Sequence, residues 1–156
     1  MQVYRIATSE YIHDLSGYGA KLNGGRWNRE GIAVLYTGSS IALCAWEYFV
    51  HLPETVTLKQ NTFSVATIEL PDSSVKLLPT LELPPDWENQ TSVLRDITDA
   101  WLREEAFLAL QVPSAVISGE FNYLLNPSHP LFKFVTLQLV EPFSFDRRAF
   151  DKKLLG

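Results

Sequence analysis

The chain has 156 residues, 46% of them hydrophobic and 20% charged, with a formal net charge of −5 at pH 7. That length supports one domain with its own core, and the acidic balance argues against sequence-independent nucleic-acid binding, which needs a basic face for phosphates. A lone cysteine, Cys44, excludes an internal disulfide and fits a reducing cytoplasm, while no apolar run approaches the roughly 18 residues of a membrane span.

In chain order, VYRIA near the N-terminus predicts a first strand, followed by a polar loop holding Gly17, Gly19, Gly24 and Gly25. Residues 32–37 are β-leaning and Gly38 ends them. Ser39 or Ser40 is then placed to cap a helix over IALCAWEYFVHL, bounded by Pro53. TFSVATIEL, residues 62–70, is rich in β-branched residues and predicts a strand closed by Pro71. LPTLELPPDW predicts irregular chain. Thr91 or Ser92 is the expected cap of a helix on which Val93, Leu94, Ile97, Ala100 and Trp101 recur at helical spacing. VPSAVIS predicts a short buried strand, NPSHP a turn, and FVTLQLVEPFSF a longer strand. The tail from residue 146 is expected to be a helical turn or frayed. Strands interrupted by two helices, without regular βαβ alternation, predict an α+β fold. No GxGxxG or P-loop occurs, so any nucleotide would bind by another route.

Glu47 is the physical anomaly. Every other residue from Ile41 to Val50 is apolar, which predicts a helix buried all round. A carboxylate there either faces a wet cleft or is buried against a partner, because burying it unpaired costs several kcal/mol. His51 and Glu54 share its helical face, so a plain solvated stripe is the bland alternative. Arg26 is the natural partner: it follows the Gly24–Gly25 corner and can fork onto a phosphate or carboxylate, or simply pair on a hairpin surface. Tyr36, taken singly, is a core tyrosine or a ring facing a cleft. Ser114, after Pro113, is a turn hydroxyl or a polar group entering an apolar strand. His13, His51 and His129 have no metal-ligand spacing, and Cys44 reads as core.

The ordered set GGRWN, LYTGSS, AWE, VPSAV and NYLLNPSHP resembles the RES domain over nearly the whole chain, residues 1–150, with 151–156 as a tail. The resemblance implies an ADP-ribosyltransferase-like α+β fold, a single domain with mixed or antiparallel sheets, and NAD as substrate rather than resident cofactor. It implies a toxin partnered by an Xre-type helix-turn-helix antitoxin, with a toxin dimer inside that complex. It assigns catalysis to Arg26 and Glu47 and substrate binding to Arg26, Tyr36, Ser114 and Asn122, with Asn126 a lesser candidate and no metal. The implied reaction is cleavage of the nicotinamide–ribose bond, with water, phosphate or a protein as acceptor. A non-enzymatic nucleotide- or peptide-binding module is the alternative of another class, and direct DNA binding is disfavoured by the missing basic face.

Overall fold

A computed structural model describes residues 1–52, 61–146 and 148. The fold is a single α+β unit built on one seven-stranded mixed sheet, where the sequence leaves the number of sheets open. The first strand, β1 (Gln2–Thr8), lies near the middle of it. On one side β1 pairs antiparallel along its full length with β3 (Phe63–Glu69), and β3 pairs antiparallel with β7 (Thr136–Phe143) at one edge. On the other side lie β2 (Leu35–Gly38), β6 (Phe121–Leu125) and β5 (Ala109–Pro113), all antiparallel. β4 (Val75–Leu77), parallel to β5, forms the far edge.

The two halves are joined between β1 and β2 by a single residue pair, Tyr4 with Gly38. Beyond it the strands diverge, and this parting positions the site. Helix α2 (Ile41–Val50) packs over the junction. Its N-cap is Ser40, whose hydroxyl accepts the Leu43 amide at 3.1 Å. Gly38 permits the close seating, since a Cβ there would stand 2.7 Å from the Cys44 Sγ. Three apolar clusters hold the sheet: Val3, Ala66, Ile68 and Leu125 on one face, Trp27, Leu94, Trp101 and Leu124 on the other, and Ile6, Cys44 and Val65 beneath α2.

Several elements differ from their sequence expectation for local reasons. The glycine-rich loop contains a six-residue helix, α1 (Tyr18–Asn23), with no side-chain cap and no buried residue, so it carries no apolar periodicity to read. Strand β2 begins at Leu35, three residues later than expected. Helix α2 buries only Leu43 and Cys44, and Ile41, Trp46 and Val50 are exposed, so it is not the fully buried helix its composition suggests. Helix α3 (Thr91–Glu104) starts at Thr91, with Gln90 at the cap position and no side-chain capping bond, instead of a Thr91 or Ser92 cap. β5 ends at Pro113, so of VPSAVIS only Val112 and Pro113 are strand, and Ser114 begins a turn. β4 and β6 are short strands without their own sequence signal. Pro53, Glu54 and residues 151–156 lie outside the described residues. No helix of the described residues is long and apolar enough to cross a membrane.

Candidate active site

Where β1 and β2 part, they leave a cleft of about 570 Å³. Arg5 and Ile6 line it from β1, Leu35, Tyr36 and Thr37 from β2, and Cys44, Glu47 and Tyr48 from α2. The stretch from Gly17 to Trp27 closes another wall, and Asn122 reaches in from β6. The volume lies within the range of sites for small ligands and cofactors.

Glu47 is half-buried on the cleft side of α2, and its two carboxylate oxygens differ. Oε1 accepts the Ser114 hydroxyl at 2.8 Å and the Asn122 Nδ2–H at 2.5 Å. Oε2 accepts no hydrogen bond among the described residues, and the His51 Nδ1 lies 3.8 Å from it. The His51 ring sits 2.7 Å from the Glu47 carbonyl, which fixes it at the end of the helix. Ser114 is itself locked, because its oxygen accepts the Val116 and Ile117 amides at 3.0 Å each. One residue is therefore both the turn hydroxyl and the anchor of the carboxylate. It is buried and does not line the cleft, whereas Asn122 does. One oxygen of Glu47 is tethered and the other is available.

The Gly24–Gly25–Arg26 corner is built around Tyr36. Its hydroxyl donates to Asn28 Oδ1 at 2.7 Å and accepts the Trp27 amide at 3.2 Å. Burial pushes the Tyr36 phenol up to about 12, so it is a neutral donor at working pH. Asn28 is fully buried, and its Nδ2 donates to the carbonyls of Ala20 and Ile32 at 2.9 Å each, tying α1 to the corner. From α3, Arg95 donates through Nε and Nη2 to the Gly25 carbonyl at 3.0 and 2.8 Å. Arg29 pairs with Asp96 at 2.7 Å and with Asp99 on the same helix. The guanidinium of Arg26 meets the Glu88 carbonyl. The expected Arg26–Glu47 ion pair is not made: the carboxylate is held by neutral donors, because the Gly25 corner is fastened to α3 while Glu47 rides on α2.

The family model for the RES domain matches residues 2–147. The chain belongs to the RES domain family. Among relatives of this RES protein, Toxin Res of Yersinia enterocolitica is 39% identical, with 99% of each chain covered. The Prs ADP-ribosylating toxin of a Sphingobium species is 36% identical, with 96% of each covered. In fold, the RES protein is similar to a chain in the crystal structure of the M. tuberculosis MbcT–MbcA toxin-antitoxin complex. The TM-score is 0.68 at 18% identity, over 98% of this chain and 87% of that one.

The structure thus brings Arg26, Tyr36, Glu47 and Asn122 to one cleft, with Ser114 behind Glu47. Asn126 is not among them. Its Oδ1 accepts the Ser128 amide and its own amide reaches the Leu108 carbonyl, so it is a buried turn residue. His129 is likewise structural, bridging the Glu105 carbonyl and the Leu131 amide. Cys44 donates to the Tyr4 carbonyl at 3.1 Å, and burial pushes its thiol up to about 12, so it is not a nucleophile. Sequence reasoning passed over Arg5, Tyr48 and Arg95, and gave Asn28, the last residue of GGRWN, no role of its own. Arg5 had a signal, a lone charge in an apolar strand; Arg95 had none, since a helix arginine is ordinarily solvated.

Proposed function

We propose that this RES protein is the toxin of a bacterial toxin–antitoxin pair and that its cleft cleaves the nicotinamide–ribose bond of NAD. The observation that carries the reading is the asymmetric Glu47 carboxylate, with Oε1 tethered by Ser114 and Asn122 and Oε2 left open beside the cleft. Nicotinamide is a good leaving group because it departs neutral from a cationic pyridinium. The C1′–N bond breaks with its electron pair going to the ring nitrogen, and the ribose left behind is oxocarbenium-like. A carboxylate fixed in advance beside it stabilises that charge without reorganising, as in glycoside cleavage.

In this mechanism Ser114 and Asn122 position Glu47, whose Oε2 holds a ribose hydroxyl or faces C1′. Tyr36 forms the wall against the nicotinamide ring, and Arg26 exchanges the Glu88 carbonyl for the pyrophosphate, a stronger acceptor for a guanidinium. The acceptor oxygen of water or phosphate then bonds to C1′ and, for water, a proton is released. Transfer of ADP-ribose to a protein is the second reading, favoured by the relative named as a Prs ADP-ribosylating toxin. Both share the first bond cleavage.

The similarity to a chain of a toxin–antitoxin complex supports an antitoxin partner, for which an Xre-type helix-turn-helix protein is our expectation. Incubating the purified protein with NAD, with and without phosphate, and following nicotinamide, ADP-ribose and its 1-phosphate tests the reaction. Labelled NAD with cell extract tests the protein acceptor. Nicotinamide release is the expected result. No release under any of these conditions would leave a binding module in place of an enzyme.

A further inference from the structure

A water that attacks C1′ in the proposed reaction sheds a proton, and most groups of the cleft are unfit to take it. Glu47 spends its open oxygen on the ribose. Phenols and a buried thiol keep their protons near neutrality, and burial pushes Tyr36, Tyr48 and Cys44 higher still. Hydrogen bonds from the Ser16 hydroxyl and amide draw the Asp14 carboxyl below its usual range, which makes it a weaker base. Arginines stay protonated. Of the titratable groups that line the cleft, His51 is left.

His51 stands at the C-cap of α2, one turn after Glu47. Its Nδ1 lies 2.7 Å from the Glu47 carbonyl oxygen. A carbonyl accepts and cannot donate, so Nδ1 carries the hydrogen. In the neutral ring this leaves a bare lone pair on Nε2, which meets no donor among the described residues. The backbone bond thus fixes both the tautomer and the ring, as a base requires. Glu47 Oε2, 3.8 Å from Nδ1, stabilises the imidazolium that forms, and the ring is 57% exposed, so the proton has a way out to solvent. The other charges lining the cleft are Arg5 on β1, Asp14 after it and Arg26 at the glycine corner; the arginines oppose the imidazolium and Asp14 favours it.

We propose that His51 is the general base for a neutral hydroxyl acceptor, water or an alcohol side chain. This rests on the NAD reading for its electrophile. The acceptor oxygen bonds to C1′ as the C1′–N pair leaves with nicotinamide, and the acceptor proton passes to Nε2 and then to solvent. Phosphate arrives already anionic and attacks without a base. His51 therefore sets the choice between hydrolysis and phosphorolysis.

His51→Asn keeps a donor for the Glu47 carbonyl and removes the base. Without phosphate, ADP-ribose formation should fall in kcat by about tenfold or more, with KM for NAD little changed. The acid limb of the wild-type pH profile should vanish with it. Formation of the 1-phosphate should hold within about twofold of wild type. Imidazole added to His51→Ala should restore hydrolysis in step with its free-base concentration. Equal losses in both reactions, no loss in either, or no rescue overturns the proposal and leaves His51 a helix cap. A wild type that yields the 1-phosphate alone overturns it as well. Nitrogen NMR of labelled wild-type protein with the ring neutral must show Nδ1 protonated and Nε2 bare; the opposite tautomer overturns it whatever the rates. Wild-type protein that releases no nicotinamide sinks the NAD reading and this one with it, whereas release that the variants leave unaltered sinks this one alone.

Discussion

Glu47 sits among nine apolar residues of α2, and the chemistry follows from what its two oxygens meet. With Oε1 held by Ser114 and Asn122, Glu47→Gln preserves shape and replaces the charge. Nicotinamide release should fall about 10²-fold or more in kcat with NAD binding little changed, the scale of a single electrostatic group acting in the transition state. Near-normal turnover would remove Glu47 from catalysis. Arg26→Ala should instead raise KM, and an unaltered KM and kcat would return Arg26 to a hairpin surface role. Tyr36 supplies a pH test. Its phenol is raised from an ordinary value near 10 to about 12 by burial, so the native state holds the proton more tightly than the unfolded chain. The resulting stability is fully present below pH 10 and is lost as pH rises toward 12, on the order of 2–3 kcal/mol. Denaturant titrations across that window should show a steeper decline for wild type than for Tyr36→Phe, and parallel declines would contradict the buried, satisfied hydroxyl.

At the scale of elements, the corner from Gly24 to Arg29 is shaped by residues brought from three places: Tyr36 on β2, Asn28 within the corner, and Arg95 on α3. A Cβ on Gly25 would stand 2.7 Å from the Tyr36 hydroxyl and 2.9 Å from Asn28 Oδ1. Gly25→Ala should therefore destabilise by about 1–3 kcal/mol, the usual range for overpacking. Tyr36→Phe removes the oxygen it strikes, so the double variant should be less destabilised than the sum of the singles by about 1 kcal/mol. Strict additivity would show that the corner relaxes away from Tyr36. Much of this element structure was legible: β1, β3, β7 and both long helices announce themselves by alternation, β-branching or helical spacing. Of the candidate site residues, Glu47 stood out as a carboxylate in an apolar helix, whereas Arg26, Tyr36 and Ser114 each had an ordinary structural reading and were singled out as a set by the resemblance to the RES domain. What was hidden is supplied by tertiary contact. α1 has no buried face, and β4 and β6 owe their strand form to pairing with β5 and β2. Arg95 matters only because α3 packs across the Gly25 carbonyl. The Arg26–Glu47 pair failed for the same reason: proximity in sequence said nothing about which helix would capture each partner.

For the whole molecule, the decisive feature is a sheet whose halves share one residue pair, Tyr4 with Gly38, under the bridge of α2. The cleft belongs to both halves, with Arg5 and Ile6 on the β1 side and Tyr36 and Thr37 on the β2 side. A ligand seated there should couple them. By mass action, ADP-ribose at 100 times its Kd adds about 2.7 kcal/mol to the native state, and for a chain of this size that raises Tm by roughly 5–10 °C. Binding alone would do this at any site, so the discriminating measurement is hydrogen exchange. Slowed exchange is expected in both β1 and β2 around the parting, at Ile6 and at Tyr36, with the far edge at β4 unaffected. Protection confined to one half would mean the ligand leans on a single wall. The parting between β1 and β2 would then be a packing defect of the sheet and not the seat of the dinucleotide.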